Sequence, residues 1–247
     1  MRRLFKWSAF IVILMVAGSG VAFTASYPAV AAATCPGCYG FEKIDERLYV
    51  GQEMTPKARG DLQRDIAAAR KSIASVLRSA EARPFIFACS TNACDHRIGG
   101  RGDQGARAQV QSTPWFSVVR FGPRGMNETI LTHELAHVAM HDVVGALAVM
   151  DGRFPAWLNE GMAVIVSNDE RYIRPGTTAE ERCLIEPDGP LPADPFEWAS
   201  AAGQSHQTLY ARAACASLHW LEANGGTQGL INALQHTART GDAVVGK

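Results

Sequence analysis

The chain has 247 residues, of which 47% are hydrophobic and 19% are charged. This composition is typical of a globular protein and not of an intrinsically disordered chain. The 24 basic residues balance the 24 acidic ones, so no excess of positive charge favours a nucleic-acid partner. The length accommodates one sizeable domain, with or without an appendage.

The N-terminal segment differs in composition from the rest of the chain. Three of its first six residues are basic, and a long uncharged run follows them. Small residues at 29–33 fit a signal-cleavage pattern, so we predict a secretory signal peptide over 1–33 and a single mature domain over 34–247. The alternative is an uncleaved membrane anchor, although its strongly apolar part, 10–23, is short for a span of about 20 residues. We expect a secreted or periplasmic protein, or one associated with a membrane through this segment.

Six cysteines agree with an extracytoplasmic location, because an even count behind a secretory signal favours disulfides. Six cysteines allow 15 connectivities, and we predict two local pairs, Cys35–Cys38 and Cys89–Cys94, with a long-range Cys183–Cys215 bridge. A redox or half-zinc role for the first pair is disfavoured, since no strand–helix unit follows and there is no second C-x-x-C.

Hydrophobic spacing predicts strands and a helix in the part of the chain that follows. Residues 39–54 contain a short strand, and Thr55-Pro56 then opens an amphipathic helix that runs to about Arg78. Residues 84–89 are a short apolar run suited to a buried strand. We assign no chemistry to these elements.

The segment 90–109 is rich in glycine and arginine. Its glycine spacing fits neither the P-loop nor the dinucleotide-binding pattern. Arg101-Gly102-Asp103 matches an adhesion tripeptide, but so short a match arises easily in such a segment. We therefore predict a surface loop that is tied by Cys89 and Cys94 and flanks a cleft.

A strand is predicted over residues 115–121, which are rich in β-branched and aromatic side chains. A Gly-Pro turn ends it, and Asn127 is the expected N-cap of a helix over roughly 128–142. An edge strand at this place could hold an extended peptide by strand addition.

That helix carries Thr132-His133-Glu134-Leu135-Ala136-His137, an H-E-x-x-H pattern in an apolar, helix-forming run. Residues four apart share a helix face, so His133 and His137 point the same way. Two imidazoles so placed can hold one Zn²⁺, and Glu134 can reach a water at that ion.

A catalytic zinc requires a third protein ligand. His141 is the nearest candidate, but eight residues of helix place it about 12 Å from His133 along the axis, so we interpret it as a partly exposed or supporting histidine. The metzincin arrangement is excluded because Met140 and Val143 stand where it needs Gly and His. Glu160 lies in a second predicted helix, 156–166, and 22 intervening residues allow that helix to return antiparallel to the first. An isolated acid there would otherwise be a surface residue.

H-E-x-x-H followed by Trp157-Leu158-Asn159-Glu160-Gly161 resembles the gluzincin metallopeptidases, the superfamily of thermolysin and the zinc aminopeptidases. The similarity covers residues 115–235. It implies His133, His137 and Glu160 as zinc ligands and Glu134 as the general base.

The C-terminal part is similar to the Tyr-helix-Gly-helix tail of small gluzincin domains. That similarity implies that Tyr210, near the start of a helix over 208–223, donates a hydrogen bond to the developing oxyanion. A half-buried core tyrosine is the alternative for Tyr210, and His206 is a weaker candidate for the same task. A further helix is expected over 227–239.

Two departures from the family pattern affect the expectations. Where thermolysin-like enzymes carry an acid four residues after the ligand Glu, this chain has Val164, so Asp142 or a backbone carbonyl would have to support a zinc-bound histidine. The segment with which aminopeptidases hold a free amino terminus is missing, because residues 125–128 share some of its residue types but lie too close to His133.

The proline-rich stretch 171–198 is expected to cross the surface and to cover the cleft.

The resemblance thus implies an α+β, zincin-like fold with a small mixed sheet in 39–126 and a helical part carrying the metal ligands in 127–247. It implies a zinc-dependent peptidase, an endopeptidase acting on peptide or protein substrates. A non-catalytic zinc-containing binding module of the same fold is the alternative.

Overall fold

The computed structural model describes residues 24–77 and 82–245. The predicted apolar segment 10–23 and the predicted helix end at Arg78 lie outside the described residues. Within the described residues the protein is mixed α+β, with its strands in the first half and mainly helices after them.

The sheet has five strands in the order β1-β2-β3-β5-β4. Their bounds are, in chain order, Phe41–Asp45, Leu48–Gly51, Phe85–Ala88, Ala108–Ser112 and Ser117–Phe121. β2, β3 and β5 are parallel to one another, whereas β1 and β4 pair antiparallel at the two edges. The strand predicted over 115–121 is β5, which is buried between β3 and β4 and is not an edge. The edge strand nearest the histidine helix is β4, which begins inside the segment predicted as a loop.

The helices that begin and end within the described residues are numbered α1 to α9, with a 3₁₀ turn at Pro36–Tyr39 and another at Gly102–Gln104. Their bounds are Pro28–Thr34, Pro56–Leu77, Asn92–Arg97, Glu128–Val144, Ala146–Met150, Ala156–Ser167, Ala179–Arg182, Pro195–Ala223 and Gly226–Thr240. The predicted N-cap is confirmed, since Asn127 Oδ1 accepts from Ile130 N–H at 3.1 Å. The helix predicted over 208–223 is the second half of α8, which is interrupted at Ser205 (φ −145°, ψ 51°).

The core lies between the sheet and the helices α2, α4, α6 and α8. The amphipathic spacing of α2 is confirmed, because Leu62, Ile66 and Ile73 are buried on one face. Helix α2 packs on α4, α4 on α6, and α6 on α8. This succession brings α4 and α6, the two helices of the H-E-x-x-H and W-L-N-E-G motifs, into direct contact.

The opposite face of the sheet is covered by α1. Its Ala29, Val30 and Ala32 are buried against Phe41 and Phe87. A cleavage after residue 33 would therefore cut through the end of α1, whose buried side chains form part of the core on this face of the sheet. No helix within residues 24–77 or 82–245 combines the length and the apolar character that crossing a membrane requires.

The three predicted disulfides are confirmed, with Cα–Cα distances of 5.4 Å for Cys35–Cys38, 5.4 Å for Cys89–Cys94 and 4.7 Å for Cys183–Cys215. Such bonds are typical of proteins in oxidising compartments. The third joins the proline-rich stretch to α8, which limits how that stretch can move.

Candidate metal centre

Helix α4 presents two imidazoles side by side. His133 and His137 lie one turn apart, as their spacing predicts, and their Nε2 atoms are 3.2 Å from each other. The side chains around them on α4, such as Leu131, Leu135 and Met140, are fully buried. The helix is therefore held by packing on most of its surface, and the two imidazoles have a defined position.

Helix α6 adds a carboxylate to this pair. Glu160 Oε2 lies 3.4 Å from His133 Nε2 and 3.4 Å from His137 Nε2. The next residue, Gly161, permits a close approach of α6 to α8, because a Cβ there would lie 2.2 Å from Ser217 Oγ and 2.3 Å from the Ala213 carbonyl oxygen. The structure thus brings together the three residues that the sequence proposed as ligands.

The spacing of these three atoms suits a metal ion. A tetrahedral zinc with bond lengths of about 2.0–2.1 Å separates its ligand atoms by about 3.3–3.4 Å, close to the distances of 3.2 Å and 3.4 Å here. Glu160 Oε2 is buried and makes no regular hydrogen bond in the described part of the chain. A cation would satisfy this oxygen and both nitrogens at once.

The same arrangement perturbs the ionisation of the group. Burial opposes the charged form of His137, but the nearby Glu160 carboxylate outweighs it and raises the pKa of His137 to about 9. Burial likewise opposes ionisation of Glu160, but the charge of His137 outweighs it and holds the pKa of the carboxyl well below its usual range. Without a metal the site therefore binds a proton between an imidazole and a carboxylate.

His137 is oriented by a polar chain that runs from α6 to the edge of the sheet. Its Nδ1 lies 2.9 Å from Asn159 Oδ1, and this oxygen is also 3.3 Å from His141 Nε2. His141 Nδ1 in turn lies 2.9 Å from Ser112 Oγ, which is 3.0 Å from Ser117 Oγ. An Nδ1–H donated to Asn159 leaves Nε2 of His137 free as a metal ligand.

These hydrogen-bonded side chains correct one expectation and decide between two alternatives for another residue. The support for His137 comes from Asn159 and neither from Asp142 nor from a backbone carbonyl. His141 is buried, with 8% of its surface exposed, and burial lowers its pKa to about 3. Of the two interpretations given for it, the neutral supporting residue is therefore the correct one.

A cleft of about 790 Å³ opens on the metal-ligand face, and both His133 and Glu134 line it. Burial raises the pKa of Glu134, with the two histidines acting in the opposite direction. Tyr210 borders the cleft with its ring 6.2 Å from that of His133. Burial, followed by the charge of Glu160, raises the pKa of Tyr210 well above 10, so its hydroxyl stays protonated.

His206 also lines the cleft but belongs to an aromatic cluster. Its ring stacks on Tyr210 at 4.3 Å, and its Nδ1 lies 3.2 Å from the Tyr172 hydroxyl. Burial, followed by the charge of Arg171, lowers the pKa of His206, so it is neutral at pH 7. Of the proline-rich stretch, Arg171 and Tyr172 line this cleft, whereas its prolines do not.

Sequence reasoning missed Asn159, Tyr172 and the arginines of the cleft. Asn159 had a signal, since it directly precedes the ligand glutamate. Tyr172 had none, because its place beside His206 depends on how the segment after α6 folds back.

A second group of potential ligands comprises Cys183, Glu186, Cys215 and His219, whose ligand atoms all lie within 4.8 Å of one another. Its two sulfurs are joined in a disulfide and supply no thiolate. The first group is therefore the metal-site candidate.

Comparison of the chain with models of protein families, with curated proteins and with solved structures finds no match. The structure by itself defines a mixed α+β protein in which His133, His137 and Glu160 can hold a metal ion.

Proposed function

We propose that the protein is a zinc-dependent metallopeptidase with a zincin-like fold of the gluzincin type, which acts outside the cytoplasm as an endopeptidase on peptide or protein substrates. The observation that carries this proposal is the convergence of His133 Nε2, His137 Nε2 and Glu160 Oε2 at 3.2–3.4 Å. Two imidazoles and one carboxylate are a ligand set of catalytic zinc, which keeps one coordination position open.

Glu134 and Tyr210 are our candidates for the remaining roles. When bound, the metal supplies Lewis-acid polarisation of a carbonyl and lowers the pKa of water. Burial makes the Glu134 carboxylate a stronger base than an exposed glutamate, which suits it to accept a proton and to return it to the leaving amine. Tyr210, protonated at neutral pH, can donate its hydroxyl hydrogen to a developing oxyanion.

The test uses the full-length chain and a Glu134→Gln variant. Bound metal is measured by mass spectrometry after zinc supplementation, and hydrolysis is measured on a mixed peptide library. Glu128→Gln serves as a matched control, since Glu128 is on the same helix but exposed in its first turn. We expect stoichiometric zinc in all three proteins and loss of at least about a hundredfold in hydrolysis only for Glu134→Gln.

Two results would reject the proposal. A chain that binds no zinc is not a zinc protein of any kind. A chain that binds zinc but shows no Glu134-dependent cleavage is not a peptidase, and it would be a zinc-containing binding module instead.

A further inference from the structure

The cleft beside the candidate ligands has a strongly positive wall. Three arginines line it, Arg107, Arg124 and Arg171, whereas Glu134 is the acidic residue among its lining side chains. The chain as a whole has no net charge, so this concentration is local. A cleft lined by one sign of charge raises the local concentration of oppositely charged ligands.

Two of the arginines already have partners. Arg171 pairs with Asp169 and lies over the Tyr172 ring. Arg124 donates to the Gly105 carbonyl at 2.8 Å and lies 3.7 Å from Asp103. These two contribute positive potential, but much of their hydrogen-bonding capacity is used.

Arg107 is different, because its exposed side chain makes no ion pair or hydrogen bond within residues 24–77 and 82–245. Its backbone is held in place, since its carbonyl accepts from Gly122 N–H at 2.9 Å. The preceding carbonyl, of Ala106, lies 3.5 Å from the Arg120 guanidinium, which is itself paired with buried Asp95. The guanidinium of Arg107 therefore projects from a fixed point and has its donors free.

That fixed point lies next to the metal-ligand group. The residue after Arg107 is Ala108, the first residue of edge strand β4, and Ala108 borders both the cleft and the recess that holds His133, His137 and Glu160. Consecutive Cα atoms are about 3.8 Å apart, so the Cα of Arg107 lies one such step from a residue that borders the recess of the metal-ligand group.

We propose that the cleft selects peptides that present a carboxylate within about two residues of the scissile bond, and that Arg107 is the residue that recognises it. A guanidinium binds a carboxylate through two parallel N–H donors, which gives direction as well as charge. The carboxylate can belong to an Asp or Glu side chain or to a peptide C-terminus. The inference rests on the proposed peptidase function and adds its substrate class.

The test separates binding from turnover. Fluorescence anisotropy measures peptide binding to the full-length, zinc-supplemented Glu134→Gln chain, with and without the added substitution Arg107→Gln. The peptides share one sequence with a single Glu or Gln at its central position, each as a C-terminal acid and as an amide. Arg70→Gln is the control, since Arg70 is exposed on α2 and does not line the cleft.

We expect Arg107→Gln to weaken binding of the carboxylate-bearing peptides about threefold to tenfold, and to leave the Gln amide peptide unchanged. The preference should shrink as salt is raised, and Arg70→Gln should not alter it. Tighter binding of the Glu peptides than of the Gln peptides identifies a side-chain carboxylate as the recognised group. Tighter binding of the C-terminal acids than of the amides identifies the peptide C-terminus.

Equal binding of all four peptides, or a preference that survives Arg107→Gln, would overturn the inference even if the active protein cleaves peptides. An Arg107-dependent preference in a protein that never cleaves would instead reject the peptidase function and leave the recognition of carboxylates standing.

Discussion

Replacement of Asn159 by Leu tests the polar chain behind the metal ligands. Asn159 Oδ1 is the acceptor that holds His137 through Nδ1 at 2.9 Å and His141 through Nε2 at 3.3 Å. Leu has a similar size but no acceptor. Loss of a supporting hydrogen bond to a ligand histidine typically weakens metal binding 10- to 100-fold. This corresponds to about 1.4–2.7 kcal/mol of binding free energy.

The same substitution should lower the free energy of unfolding of the metal-free protein. It leaves two buried donors, on His137 and His141, without an acceptor, and each such group costs about 1–3 kcal/mol. The two rings are 6% and 8% exposed, so water compensates little. We expect a loss of about 2–4 kcal/mol, allowing for local relaxation.

Zinc affinity is measured by competition with a chromophoric chelator, and stability by urea unfolding of the metal-free chains. Asn159→Asp is the matched control, because it keeps an acceptor oxygen and should bind zinc at least as tightly as the parent protein. If Asn159→Leu binds zinc as tightly as the parent while Glu160→Gln does not, Asn159 does not support the site and the reasoning is refuted.

Three further predictions concern proton competition and packing. The pKa of His137 is raised to about 9 in the metal-free protein, so zinc must displace a proton from this imidazole below that pH. The apparent zinc affinity should therefore rise about tenfold per pH unit between pH 6 and 8. A pH-independent affinity would contradict a protonated His137 paired with Glu160. Gly161→Ala places a methyl group against Ser217 Oγ, and urea unfolding should show a loss of about 1–3 kcal/mol, which a parent-like midpoint would exclude. Asp95→Ala leaves the Arg120 guanidinium buried without its partner; calorimetry or urea unfolding should report a loss of about 3–5 kcal/mol, and an unchanged stability would mean that water reaches Arg120.

Local sequence rules were sufficient to predict several features of this protein. The four-residue spacing places His133 and His137 on one face of any helix they share. The cap at Asn127 follows from its side chain and its place before an apolar run. The three disulfides follow the simplest pairing of near neighbours, with the remaining two cysteines joined across the chain.

Packing against the sheet, and not the local sequence, determines the structure of strand β4 and helix α1. The residues of β4, Ala-Gln-Val-Gln-Ser, follow a glycine-rich segment and have a weak strand pattern, and they become a strand because β5 offers its free edge. Residues 29–32 have the small, apolar character of a cleavage region, yet they are buried against the sheet. Composition cannot distinguish a cleavage region from a buried helix at residues 29–32, because both favour small apolar side chains.

The sequence by itself determined the helix with two histidines on one face and the carboxylate in a second helix. Only the tertiary structure decided which cysteines pair and that His133, His137 and Glu160 converge at 3.2–3.4 Å. It also decided that Asn159 supports His137 and that Arg107 lines the cleft. The physical reason is that the helical repeat fixes distances along one element, whereas distances between α4, α6 and the edge of the sheet depend on how their buried side chains pack together.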